Sequence, residues 1–135
     1  MSAGAGQRRA RAAGATRRAI VLVDHGSRLP EAHAALEEVA ALLRRRVPDR
    51  LVEIAHMELV PPTLAEAIDR CVAAGATEIV VHPYFLAPGS HATRDVPAQA
   101  EAAARRHEGV MVRVSAPLGA HEGIVDAILA RIEEA

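Results

Sequence analysis

The chain has 135 residues, 50% apolar and 24% charged, a balance that gives one domain with a packed core and excludes both a wholly disordered chain and two independent cores. Its aromatic content is one Tyr and one Phe, so the core must be built from Val, Ile, Leu and Ala, and a base-stacking nucleic-acid platform is excluded. The net charge of −1 conceals five arginines and no acid in residues 1–18, leaving the rest of the chain near −6, the wrong sign for generic binding to a phosphate backbone.

Residues 1–18 read as a disordered Arg/Ala-rich tail. They lack the apolar centre of a secretory signal, and their freedom from acids makes an organellar transit segment the second reading. Residues 19–135 read as one α/β domain, in which apolar runs alternate with helical periodicity, the pattern of a parallel sheet covered by helices on both faces. The run Ala19-Ile20-Val21-Leu22-Val23-Asp24 is short and branched, as a strand buried on both faces should be. Pro30 suits a helix first turn, and Ala32, Ala35, Leu36, Val39, Leu42, Leu43 and Val47 recur at helical spacing up to Pro48-Asp49. A second strand is expected over residues 51–57. Thr63 and Glu66 form a capping box that opens a helix with the buried stripe Leu64, Ala67, Ile68, Cys71 and Val72, closed by Gly75. Glu78-Ile79-Val80-Val81-His82 is the third strand. A Pro/Gly-rich loop over residues 83–94 follows, long for so small a domain and therefore a candidate functional segment. Asp95-Val96-Pro97 reads as the next helix start, with an Ala-rich helix to about His107 closed by Gly109. Residues 110–114 form a fourth strand, and Ile124, Val125, Ile128, Leu129 and Ile132 stripe a final helix. The order βαβαβαβα predicts a three-layer fold on a mostly parallel four-stranded sheet.

In open sheets of this kind, ligands gather at the carboxyl ends of the strands, which puts His25, Glu58 and His91 on one edge. His25, in Asp24-His25-Gly26-Ser27, and His91, in Gly89-Ser90-His91, each lie close to glycine in a loop after a strand, where small neighbours let another molecule approach the imidazole. Two imidazoles with Glu58 as a harder third group could hold a first-row divalent ion and leave coordination positions open. The plain alternative is a strand-to-helix turn carrying a hydrogen-bonded histidine. Of the remaining histidines, His33 and His107 are expected on helix surfaces, His56 and His82 as hydrogen-bonded core residues, and His121 as a cap or a substrate contact. Gly26-Ser27 lacks the Gly-rich fingerprint and lysine of a nucleotide loop, Ser27 and Ser90 lack a nucleophile elbow, and Cys71 falls on an apolar stripe as a small core residue. A single cysteine excludes an intrachain disulfide or Cys-rich metal centre and fits a cytoplasmic location. No apolar stretch approaches the ~18–20 residues that span a bilayer.

Five blocks taken together resemble a known family. They are Val23-Asp24-His25-Gly26-Ser27-Arg28, Ala55-His56-Met57-Glu58-Leu59 followed by Pro62, Pro83-Tyr84-Phe85-Leu86-Ala87-Pro88-Gly89-Ser90-His91, Asp95-Val96-Pro97, and Ala116-Pro117-Leu118-Gly119-Ala120-His121. Their order and spacing over residues 20–131 resemble the short CbiX/SirB sirohydrochlorin chelatases, the class II tetrapyrrole chelatases. The resemblance implies a chelatase-like α/β domain over 19–135 that inserts a divalent metal into sirohydrochlorin with release of two protons. It implies that His25 and His91 are catalytic residues and transient metal ligands, one of them also accepting a pyrrole proton, and that Glu58 is the metal or proton relay. The metal is a substrate. The motifs lean towards Fe²⁺ and sirohaem synthesis, with Co²⁺ insertion for the corrinoid route the near alternative and Ni²⁺ a third; no permanent cofactor and no iron–sulfur cluster are expected. Arg28 and Arg94 flank the two histidines and, with Ser27 and Ser90, are candidates for holding the substrate's carboxylates against an acidic body. Ser90 stands where the family usually carries Arg. Because short members resemble one half of longer two-domain chelatases, a homodimer is expected, with no nucleic-acid or membrane partner. Readings from other classes are a non-catalytic metal or tetrapyrrole carrier and a small α/β interaction domain with structural histidines.

Overall fold

Four strands and four helices alternate along the chain: β1 (Arg18–Asp24), α1 (Pro30–Arg46), β2 (Leu51–His56), α2 (Leu64–Ala73), β3 (Glu78–Pro83), α3 (Ser90–Ala104), β4 (Met111–Val114) and α4 (Glu122–Glu133). The computed structural model describes residues 16–87 and 89–135; the disordered tail expected at the N-terminus lies, for residues 1–15, outside the described residues. Order reaches further back than expected. The Arg17 amide donates to Thr77 Oγ1 at 3.1 Å and its carbonyl accepts from the Thr77 amide at 2.9 Å, so Arg18 already belongs to β1.

All neighbouring strands are parallel, in the order β2-β1-β3-β4. Alternation along β1 splits the core in two, as the two-residue period of a strand requires. Ile20 and Leu22 pack with Val52, Ile54, Leu36 and Ala40 under α1. Ala19, Val21 and Val23 face the other way, against Ile68, Cys71, Val96 and Ala100 of α2 and α3. Helices therefore cover both faces.

Local chemistry explains the element ends. The capping box of α2 is present, with Thr63 Oγ1 accepting from the Glu66 amide at 3.1 Å and Glu66 Oε1 accepting from the Thr63 amide at 2.8 Å. Gly75 ends the same segment at φ +100°, a conformation cheap only for glycine. Cys71 is buried in that helix, and desolvation pushes its thiol up to about 12.

Three expectations differ from the structure. The helix placed at Asp95 begins at Ser90, because the stripe that α3 buries starts earlier, at Ala92, and continues through Val96, Ala100 and Ala103; Pro97 is accommodated inside the helix rather than opening it. The apolar stripe of α4 is not in the core, and no residue of α4 is buried. Leu42, expected on the buried stripe of α1, is likewise 54% exposed. No helix among the described residues is long and apolar enough to cross a membrane.

On the α1 side of the sheet the helix covers β1 and β2 only. His82 projects from β3 on that side, half-buried, with Nδ1 2.8 Å from Ser115 Oγ. Burial lowers its pKa from the ordinary 6.5. The folded state therefore holds His82 neutral while the unfolded chain binds a proton, so stability is complete above about pH 6.5 and falls as pH drops below it. We expect His82→Gln to flatten that fall relative to the parent chain, measured by urea unfolding at about pH 7.5 and 5.5.

Candidate functional site

The parallel ladder runs on past the ends of the strands. The Met57 amide donates to the Asp24 carbonyl at 2.8 Å, the Glu58 amide to the His25 carbonyl at 3.2 Å, and the Tyr84 amide to the Val23 carbonyl at 2.7 Å. His25 and Glu58 thereby become backbone neighbours at the carboxyl edge. Between them lies Gly26 at φ +98°, where a Cβ would overlap the Glu58 carbonyl oxygen. Both the backbone angle and the close approach demand glycine.

His91 occupies the first turn of α3, and its Nε2 lies 3.8 Å from Glu58 Oε1 and 3.0 Å from Asp95 Oδ2. Two carboxylates thus converge on one imidazole. In the sequence Asp95 stands at an expected helix start; its i,i+4 spacing from His91 is the signal that marks it once the helix is extended back to Ser90. A carboxylate beside a ligand imidazole fixes ring orientation and tautomer.

The His25 ring packs on Phe85, centroids 4.2 Å apart and tilted by 38°. Phe85 is buried and separates two clefts. One, of about 400 Å³, is lined by Asp24, His25, Gly26, Ser27, Tyr84 and Leu86 among others. The other, of about 420 Å³, runs behind Phe85 between Ala92, Val96 and Pro117. Among the described residues no three imidazole, thiol or carboxyl groups close on one point as a metal cage. His91, Glu58 and Asp95 are drawn together, with His25 tied to Glu58 through the backbone alone.

The remaining expected contacts sit on the same rim. Arg28, Ser90 and Arg94 are exposed, and neither arginine forms a salt bridge among the described residues. Ser27 is half-buried, with its hydroxyl accepting from the Leu29 amide at 3.1 Å, an arrangement that shapes the turn into α1. Leu29, Leu59 and Leu86, one from each loop that follows β1, β2 and β3, stand 62%, 52% and 65% exposed around this edge.

Behind the site runs a polar line. The buried His56 has Nδ1 2.6 Å from Asp24 Oδ1 and Nε2 2.9 Å from His33 Nδ1. The carboxyl oxygen accepts from Nδ1–H, and in a neutral ring that leaves Nε2 to accept from His33. The expectation of a hydrogen-bonded core histidine holds for His56, and His82 is half-buried and bonded to Ser115. His33 and His107 are not free surface residues. His107 lies beyond the end of α3 with Nε2 2.7 Å from Asp69 Oδ1, and this bond, with that of Arg106, holds the Asp69 carboxyl below its ordinary value. His121 is a cap, its Nδ1 accepting from the Gly123 amide at 2.9 Å.

The CbiX family model matches residues 19–135. A sirohydrochlorin ferrochelatase of Arabidopsis thaliana, described as chloroplastic, is 40% identical over 114 residues, covering 84% of this chain and 51% of that protein. A sirohydrochlorin cobaltochelatase of Methanococcoides burtonii is 33% identical, covering 85% of this chain and 94% of that protein. The crystal structure of the sirohydrochlorin chelatase SirB from Bacillus subtilis subspecies spizizenii in complex with cobalt superposes with a TM-score of 0.78 at 31% identity, over 88% of this chain and 51% of that one. The chain spans about half the length of the first and third of these.

Gly26→Ala should cost about 1–3 kcal/mol from backbone conformation alone, and more from displacing Glu58; a urea titration with intact far-UV circular dichroism would measure it. Asp95→Asn, at a partly exposed position, should leave stability nearly unchanged, read by the same urea titration.

Proposed function

Because this chain belongs to the CbiX family, we propose that it is a sirohydrochlorin chelatase, inserting a divalent metal into the macrocycle with release of two protons. The observation that carries this reading is the approach of His91 Nε2 to within 3.8 Å of Glu58 Oε1 on the edge that also bears His25. Exposed imidazole and carboxylate donors, short of a closed cage, suit an ion that must be stripped of water, held briefly and released. In this reading His25 and His91 are the transient ligands, Glu58 is the relay for metal or proton, and Asp95 orients His91. One imidazole takes up a pyrrole proton as the metal enters.

The apolar rim of Leu29, Leu59 and Leu86 supports docking of a flat macrocycle over the edge. Arg28 and Arg94, with the Ser27 and Ser90 hydroxyls, hold its carboxylates and offset the acidic body. Fe²⁺ is the proposed metal, with no resident cofactor and no iron–sulfur cluster. Co²⁺ is the second reading, favoured by the Methanococcoides burtonii relative and by the cobalt named in the SirB structure. Two copies complete the cleft, and the setting is the cytoplasm.

Anaerobic absorbance spectra of purified protein with sirohydrochlorin should show many metallated products per chain with Fe²⁺ or Co²⁺; product capped at one per chain would mean a carrier instead. We expect His25→Ala and His91→Ala each to lower the rate about 10²–10⁴-fold with circular dichroism unchanged. Unaltered rates would mean that the histidines are structural.

A further inference from the structure

His91 and Glu58 approach one another, but the His25 ring lies against Phe85 with centroids 4.2 Å apart, and among the described residues no three donors close as a cage. For His25 to share one ion with His91 and Glu58, its ring must turn off this support. Phe85 is 4% exposed and lines both clefts of the edge, the one that holds His25 and the one of about 420 Å³ that it shares with Ala92 and Val96 of α3. The phenyl ring thus stands between His25 and the helix that carries His91.

The space behind Phe85 is large enough to receive it. Protein interiors hold few voids larger than a water molecule, and an apolar cavity of about 150 Å³ already accepts a benzene ring. The walls also suit a phenyl group. Pro83, Ala92, Val96, Pro97, Val114 and Pro117 line the cleft, and a ring placed among them removes their apolar surface from water.

The main chain at Phe85 is held on both sides. The Tyr84 amide donates to the Val23 carbonyl at 2.7 Å, the Phe85 amide to the Pro83 carbonyl at 3.0 Å, and the Gly119 amide to the Phe85 carbonyl at 3.0 Å. Displacement of the ring is thereby confined to rotation about Cα–Cβ, a hop between staggered wells rather than a movement of the loop. Such a hop has two discrete ends, against His25 or inside the cleft.

We propose that Phe85 is a two-position positioning residue: against His25 it holds the imidazole apart from Glu58 and His91, and withdrawn into the cleft under α3 it frees the imidazole to join them on the metal. This rests on the chelatase reading above and adds to it what controls the entry of His25 into the ligand set.

The test uses the full chain. Phe85 is its one phenylalanine, so uniform incorporation of 4-fluorophenylalanine reports on this ring alone. Diamagnetic Zn²⁺ is the probe ion, with its binding measured on the same samples by equilibrium dialysis. Zn²⁺ should bring up a second fluorine resonance in the parent. Ala92→Leu, which fills the cleft, should keep the resonance at its metal-free position and bind Zn²⁺ about 10–100-fold more weakly, the usual effect of disturbing a ligand's support. With sirohydrochlorin and Co²⁺ the same variant should lose kcat by a similar factor at nearly unchanged KM, although urea unfolding shows it at least as stable as the parent. Should Ala92→Leu fail to fold, Ala116→Leu, exposed on the segment after β4 that lines the same cleft, replaces it.

Bound Zn²⁺ with an unmoved fluorine signal in the parent overturns the proposal, as does a signal that moves equally in the filled variant or a kcat that the filling leaves unaltered. Two fluorine states in a parent that metallates no sirohydrochlorin uphold the ring movement and overturn the chelatase reading. A parent that binds no Zn²⁺ up to millimolar concentration overturns both.

Discussion

The arrangement of the site depends on one stretch of backbone pairing, the continuation of the β1–β2 ladder beyond Asp24 and His56. Parallel strands set in register keep their pairing as long as both chains stay extended, and here the pairing persists until Glu58 donates to the His25 carbonyl. Gly26 is what lets the two chains remain so close, since any side chain there would meet the Glu58 carbonyl. The proximity of one imidazole-bearing residue to one carboxylate-bearing residue is thus a property of the main chain. Side-chain packing adds only the Phe85 wall behind the His25 ring.

Rigidity and exposure are divided between two sides of this edge. Towards the core, His56 is buried with both ring nitrogens partnered by Asp24 and His33, so the end of β2 is fixed by a fully satisfied polar line. Towards solvent, His91 and Glu58 have side chains 63% and 54% exposed and lie near one another without forming a closed cage. A firm base under open donors fits the transient handling of an ion proposed for this edge, because a buried, complete ligand set would hold a metal too well.

The two faces of the sheet are finished to different degrees. On one, α2 and α3 pack on each other and on the strands, giving the larger cluster around Ile68, Ile79 and Val96. On the other, among the described residues, α1 shields β1 and β2 and leaves β3 and β4 bare, while the apolar stripe of α4 stays exposed. Among the described residues, a half-covered sheet beside an uncovered helix leaves apolar surface unburied on both.

Strand and helix order, the capping box at Thr63, the Gly75 stop and the shared edge of His25, Glu58 and His91 were all legible in the sequence, because each follows from local periodicity, capping chemistry or the geometry of parallel sheets. Pro97 misled the reading of α3, since proline preference for a first turn is a local rule, and the buried stripe from Ala92 to Ala103 outweighs it. The line from Asp24 through His56 to His33 was decided only by tertiary structure, because it joins residues whose separation depends on how helices dock, whereas the pairing of Asp95 with His91 is local to α3 and is hidden in the sequence by the later helix start. The fate of α4 is the sharpest case. Amphipathic spacing determines that one face favours burial, but not against which surface, and only the three-dimensional arrangement shows that the described residues leave that face open.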